Sequence, residues 1–169
     1  MVLILIYLLI LFIFLSVVYF FLQGPIFAPS SETAISTMLK LAKIKPGVRI
    51  ADLGSGDGRV VRAFAKKGVE IHGYEINPLL VLISKHKIKE EGLGNNAFVH
   101  WRSFWKIDLS QFNIIIVFGI DYIMNRLKRK LLKELKPGST VIANIFPFPD
   151  WKYINKKDGI YLYQIDENK

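Results

Sequence analysis

The residues Asp52-Leu53-Gly54-Ser55-Gly56-Asp57-Gly58 set three glycines and two carboxylates within one short run. Glycine tolerates left-handed backbone and lets a ligand approach where a Cβ would clash. A helix starting after such a run aims its free N–H groups at the same spot. The run follows a short apolar segment, Val48 to Leu53, which reads as a strand. Strand, glycine bend and helix together form the usual cradle for a nucleotide cofactor. The spacing is GxGxG, however, and Arg59 stands where a dinucleotide fingerprint wants its third glycine, so NAD and FAD are disfavoured.

Glu75 supplies the second element. It closes the next apolar segment, and a carboxylate there can accept hydrogen bonds from both hydroxyls of a ribose. Asp52 and Asp57 add negative charge that suits a cationic sulfonium bearing an amino group and opposes a pyrophosphate. These residue types point to S-adenosyl-L-methionine. A dinucleotide, or a glycine turn with surface carboxylates and no ligand, remains the alternative. The chain has no cysteine, and His72, His86 and His100 are scattered without ligand spacing, so a metal is not expected.

Alternating patterns supply the scaffold. Ser30 or Ser31 can cap a helix that places Ile35, Met38, Leu39 and Ala42 on one face. After the Lys45-Pro46-Gly47 turn, strands are expected over 48–53, 69–74, 97–101, 114–118 and 140–146, with helices over 59–67, 78–91 and 123–135. Asn77-Pro78 starts the second of these helices, and Lys136-Pro137-Gly138 stops the third. A last strand, 159–165, is expected to turn back antiparallel. The pattern predicts an α/β, Rossmann-like, mostly parallel doubly wound sheet with a shortened C-terminal end. Ligands in such sheets sit beyond the carboxyl ends of the strands, so the loops after Leu53, Tyr74, Trp101 and Phe118 should converge.

Residues from Val2 to Leu22 carry no charged side chain. A helix of about 20 residues spans about 30 Å, the thickness of a bilayer's hydrocarbon layer. The run lacks the basic start and small-residue end of a cleaved signal. Residues 1–23 are therefore expected to form a single transmembrane anchor and 24–169 the catalytic domain. Lys40, Lys43, Lys45 and Arg49 follow the run whereas nothing basic precedes it, which favours a cytoplasmic domain. The net charge is +9, and Lys85, Lys87, Lys89, Arg126, Lys128, Arg129, Lys130 and Lys133 are read as solvated helix faces near an anionic leaflet. No basic-aromatic motif accompanies the charge, so nucleic acid is not expected as a partner.

The segments ADLGSGDGRVV, GYEINP and FPFPDW, with the Pro-rich GPIFAPS and FWKIDLSQF, resemble small membrane-anchored class I methyltransferases related to the lysine N-methyltransferases of the ATP synthase c-subunit and the adenine nucleotide translocase. The resemblance covers nearly all of the chain after Gly24. It implies that Asp52, Gly54, Gly56 and Gly58 hold the methionine portion of the cofactor, Glu75 the ribose and Ile76 the adenine, with Ser55, Asp57 and Asn77 also at the cofactor site. Ser103 and Phe104 stand where that family usually has an acidic residue and Leu, which leaves the adenine contact without its charge. Asn113 likewise stands where related enzymes often have Asp.

On the acceptor side, Asp121 and Tyr122 follow the fourth strand, with helix capping as the plainer role for Asp121. Phe146 to Trp151 could wall an acceptor channel, and Phe27, Pro29 and Ser30 could fold over the cofactor. Trp101 and Trp105 are expected to pack in the core. The sequence thus predicts a methyltransferase acting on a lysine of a membrane-bound or membrane-proximal protein. A lipid or small hydrophobic acceptor, or a non-catalytic scaffold of the same fold, is the alternative.

Overall fold

The computed structural model describes residues 2–23 and 28–166, with the side chains of residues 2 and 17–23 outside that description. Helix α1 spans Val2–Gln23. Its described side chains from Leu3 to Leu15 are exposed and apolar. Among the described residues, no helix is long and apolar enough to cross a membrane. The expected anchor, 1–23, falls partly on residue 1 and on side chains outside the described residues.

Helix α2 (Glu32–Leu41) begins at Ser31, whose hydroxyl accepts from the Ala34 N–H at 3.2 Å. Strands β1 (Arg49–Leu53), β2 (Glu70–Glu75), β3 (Ala97–Trp101), β4 (Ile114–Val117) and β5 (Thr140–Asn144) alternate with helices α3 (Arg59–Ala65), α4 (Pro78–Glu90) and α5 (Asp121–Glu134). A 3-10 turn, Phe104–Lys106, takes the place of a longer helix between β3 and β4. Two further strands, β6 (Asn155–Lys157) and β7 (Ile160–Gln164), complete a sheet of order β3-β2-β1-β4-β5-β7-β6.

The five leading strands run parallel and β7 is antiparallel to β5, as its sequence predicts. The C-terminal end is shortened as expected, though not by loss of strands. The sheet has seven strands, and what is short is the connection, which holds no helix among the described residues. β6 escaped the sequence reading because Asn155, Lys156 and Lys157 are all exposed and show no apolar alternation.

Two hydrophobic layers cover the sheet. On one face α2, α3 and α4 pack Met38, Val61, Phe64, Val81 and Ile88 against Ile50, Ile71 and Ile142. On the other, α5 and the β3–β4 connection pack Met124, Leu127, Leu131, Leu109 and Phe112 against Ile115, Val141 and Tyr163. β4 is apolar throughout because both its faces are covered. Asn113 holds the start of that strand: its Oδ1 accepts from the Arg49 N–H at 2.9 Å, and its own N–H donates to the Arg49 carbonyl. An uncharged amide suffices for that bridge.

Candidate cofactor and acceptor site

β1 lies between β2 and β4, with Leu53 beside Tyr74 on one side and Val117 on the other. The strand order reverses here, so the loops after β1, β2 and β4 open at one edge. Gly54, Gly56 and Gly58 all adopt positive φ, at 83°, 53° and 75°. Gly54 is exposed, and a Cβ built on it meets nothing within 4 Å. Its face is open to a ligand.

Glu75 ties two of the loops together. One carboxylate oxygen, Oε2, accepts from the Gly56 N–H at 2.9 Å, and Oε1 accepts from Ile76 and Asn77 N–H at 2.7 and 2.8 Å. Backbone donors thus occupy three of the roughly four acceptor directions of a carboxylate. A ribose would find one open direction or share with a backbone donor, a tighter arrangement than two free acceptor sites. The Gly54 and Ser55 N–H groups donate to the Tyr74 carbonyl at 2.9 and 3.1 Å, fixing the bend to β2.

Asp52 is buried at 4% exposure, and its Oδ2 has no hydrogen-bond partner among the described residues. Burial, then the charges of Glu75 and Asp57, push its carboxyl up to about 7. A buried, unpaired carboxylate oxygen beside an open glycine face is completed by a cationic group. The residues present therefore fit S-adenosyl-L-methionine. A pyrophosphate would instead add anion to anion.

Asp57 differs. Burial alone would raise its carboxyl, but hydrogen bonds and charge from Arg59 (Nε at 3.0 Å) and Lys87 (Nζ at 3.1 Å) hold it at about 2. Its charge is balanced within the fold rather than offered to a ligand. Lys87 is accordingly an internal partner and not part of a solvated basic face. The Ser55 hydroxyl is buried and lies where Gly73 lacks a Cβ, which would sit 2.6 Å from Ser55 Oγ. Gly58 faces α4, where a Cβ would collide with Ser84. That glycine lets α3 and α4 approach closely, one position before Arg59.

Asn77 caps α4, its Oδ1 accepting from Leu79 and Leu80 N–H at 3.0 and 3.4 Å. Ser103 is half-buried and opens the 3-10 turn through its carbonyl, which accepts from Lys106 N–H at 3.1 Å. Phe104 is buried in the α5-side core against Trp105, with ring centroids 4.7 Å apart. The structure thus brings Asp52, Gly54, Gly56, Glu75, Ile76 and Asn77 into one charged and hydrogen-bonded unit. Phe104 is turned into the core.

Trp101 is corrected from its expected place in the core. It is 69% exposed, and its Nε1 donates to the Ile76 carbonyl at 2.9 Å. Its position as the last residue of β3, paired with Glu75, was the available signal. Trp105 is half-buried, with the Arg126 guanidinium 4.2 Å above its ring. Asn144 was also missed. Its buried amide donates to Ser30 Oγ at 3.0 Å, and Arg59 Nη1 donates to the Ser30 carbonyl at 3.2 Å. A polar residue closing the buried strand TVIAN was its signature. Phe27 lies outside the described residues.

On the acceptor side, Ile120 occupies the cap position of α5 without a side-chain hydrogen bond. Asp121 is instead the first helical residue and does not cap. Its charge in the first turn complements the helix dipole. Tyr122 is exposed beside it. Phe146 is half-buried with its ring 6.4 Å from that of Phe118, whereas Phe148 is buried against Trp151 and Tyr163. Phe146 thus stands near the residue that follows β4, while Phe148 belongs to the core.

Comparison with known proteins agrees with this geometry. The family description "ANTKMT methyltransferase domain" matches residues 52–155. The human lysine N-methyltransferase named for the ATP synthase c-subunit is 39% identical over 125 residues, covering 74% of this chain and 53% of that protein. The chain spans about half the length of such relatives. A protein-lysine N-methyltransferase of Saccharolobus islandicus (strain REY15A) is 32% identical over 158 residues, covering 85% of this chain and 95% of that protein. Among solved structures, an RNA methyltransferase from Salinibacter ruber in complex with S-adenosyl-L-homocysteine superposes with a TM-score of 0.78 at 27% identity, over 83% of this chain and 95% of that one.

Proposed function

The chain belongs to the ANTKMT methyltransferase domain family, and from that premise we propose that it carries a methyl group from S-adenosyl-L-methionine to a lysine of a membrane-bound or membrane-proximal protein. The unpaired Oδ2 of Asp52 beside the open Gly54 face is the observation that carries this reading. S-adenosyl-L-methionine supplies, when bound, a methyl group made electrophilic by a positively charged sulfur. Asp52 offers that cation its missing counter-charge. Glu75 and the Ile76–Asn77 backbone form the rigid side of the cleft for the ribose and adenine. Leu53, Val117 and Phe104 keep water from beneath it.

The acceptor amine must be neutral to act as a nucleophile. At pH 7, with a reference pKa near 10.4, removing its proton costs about 4.6 kcal/mol. Half-buried Phe118, Ile120 and Phe146 line the opening with apolar surface, which disfavours the ammonium form and lowers that cost. Asp121, at the rim, attracts the incoming ammonium, and Tyr122 orients it. Alignment of the reacting groups contributes several kcal/mol more through prepaid entropy. A dedicated base is therefore not required.

The uncharged run of α1 and the exposure of its described apolar side chains support a single-pass anchor with the domain on the cytoplasmic side. Such an anchor raises the local concentration of membrane acceptors. Chain retained in membrane pellets after alkaline carbonate extraction supports it, and release into the supernatant removes it.

Calorimetry tests the cofactor site: S-adenosyl-L-methionine binding is expected to weaken about 100-fold in Glu75→Ala, because charge-assisted hydrogen bonds and the loop they fix are lost together. Radiolabelled methyl added to membrane extracts and sorted into protein, lipid and RNA fractions tests the acceptor. Label on lysine supports the reading. Label confined to lipid or to RNA overturns it, and a wild-type chain that binds no S-adenosyl-L-methionine leaves a scaffold of the same fold.

A further inference from the structure

The outward face of a helix covering an α/β sheet is ordinarily polar, and the start of α4 departs from this. Leu79 and Leu82, three residues apart on one face, are 63% and 65% exposed. Trp101 stands beside them, its indole tied to the Ile76 carbonyl three positions before Leu79. The next turns of the same helix present exposed Lys85 and Lys89, and exposed Arg102 follows Trp101. His86 on this face pairs with Glu90 at 3.3 Å. The patch is thus apolar at its tip and cationic behind.

This differs from the cations of α5, several of which are tied to other parts of the fold. Lys128 donates to the Pro149 carbonyl, Lys130 to Glu134 and the Ile107 carbonyl, and Arg126 lies on Trp105. Lys85 and Lys89 project outward instead. Tyr122 and Ile145, also exposed, continue the apolar rim past β4 and β5 at the same edge of the sheet.

An apolar tip with an amphipathic Trp and a cationic flank matches the boundary between acyl chains and anionic headgroups. We infer that Leu79, Leu82 and Trp101 form a peripheral contact with an anionic lipid surface, with Lys85, Lys89 and Arg102 against the headgroups. The contact turns the carboxyl edge of the sheet, where the site opens, toward the membrane. It goes beyond the methyl-transfer reading, since the patch binds lipid whatever the cleft holds. The net charge of +9 acts in the same direction.

The absence of cysteine makes a single introduced thiol a clean reporter. The full chain is reconstituted in vesicles with a polarity-sensitive fluorophore at Leu82→Cys or, at the opposite edge of the sheet, at Gln164→Cys. Cofactor titration in each sample reads the fold and the cleft separately. In phosphatidylcholine vesicles containing phosphatidylserine, the label at 82 is expected to shift to the blue and to be quenched by nitroxide-bearing lipid, while the label at 164 stays in water. Lys85→Glu with Lys89→Glu is expected to weaken that quenching about tenfold, two cations being worth at least that near an anionic leaflet. Equal water exposure at 82 and 164 overturns the inference, as does quenching indifferent to phosphatidylserine. A blue shift produced by oligoribonucleotide and not by vesicles also overturns it and marks the patch as a nucleic-acid surface.

Discussion

Asp52 is the residue whose chemistry departs furthest from its type. Its carboxyl titrates near 7 rather than at 3.8 because burial, with Glu75 and Asp57 nearby, disfavours its charge. Between those values the folded state holds a proton that the unfolded chain has lost. The associated stability is complete below about 3.8 and is lost as pH rises through about 7. A cation entering the cleft reverses the preference and expels the proton. Affinity for S-adenosyl-L-methionine is therefore expected to rise with pH up to about 7 and then level off. Asp52→Asn flattens the profile, and calorimetry in buffers of different ionisation enthalpy counts the released proton. Asp57, held at about 2, has the opposite sign: its contribution is present above 3.8 and fades only as pH falls toward 2. At the rim, Asp121→Asn is expected to raise the acceptor KM about tenfold with kcat and the cofactor Kd unchanged, since it attracts the acceptor alone.

At the level of elements, Gly58 is where α3, α4 and the glycine bend meet. Its φ of 75° is left-handed, and a side chain there collides with Ser84. Gly58→Ala is expected to cost about 3 kcal/mol in urea denaturation, part backbone strain and part overpacking. Adding Ser84→Gly relieves only the second part. Elements marked by backbone-restricting residues were legible: the bend at Gly54 to Gly58, the turns at Pro46-Gly47 and Pro137-Gly138, and the start of α4 at Asn77-Pro78. Apolar β4 and the stripe of α5 were equally plain. β6 was not, because a fully solvated edge strand buries nothing that periodicity can register. The Asp158-Gly159 pair was a signal for it that went unread: both residues adopt positive φ and form the two-residue link of a hairpin pairing Lys157 with Ile160. Trp101 misled because a large ring usually signals the interior, whereas the end of an edge strand has no layer to receive it. Ser55 and Phe104, adjacent to contact positions in sequence, turn their side chains inward, an orientation that depends on Gly73 and on the α5-side core.

For the molecule as a whole, the chain enters the domain through Ser30, which Asn144 and Arg59 hold from β5 and α3. Ser30→Ala and Asn144→Ala should each cost about 1–2 kcal/mol, and the double variant less than their sum, since both remove one buried hydrogen bond. Additive losses would show that the two residues act apart. Thr37 makes a parallel link, donating to Asp158 at 2.8 Å and so fastening α2 to the hairpin turn. The sheet that these ties close still has two open margins. At the β6 margin the outermost residues are Asn155, Lys156 and Lys157, with the Lys156 ammonium over Tyr161. Unpaired strand edges invite a neighbouring copy to extend the ladder, and positive charge on the outermost strand repels such a neighbour. The three-residue strand therefore acts as a terminator. Replacing both lysines with Val or Thr would leave the domain's interior untouched and yet offer that margin as a docking rail for a second copy.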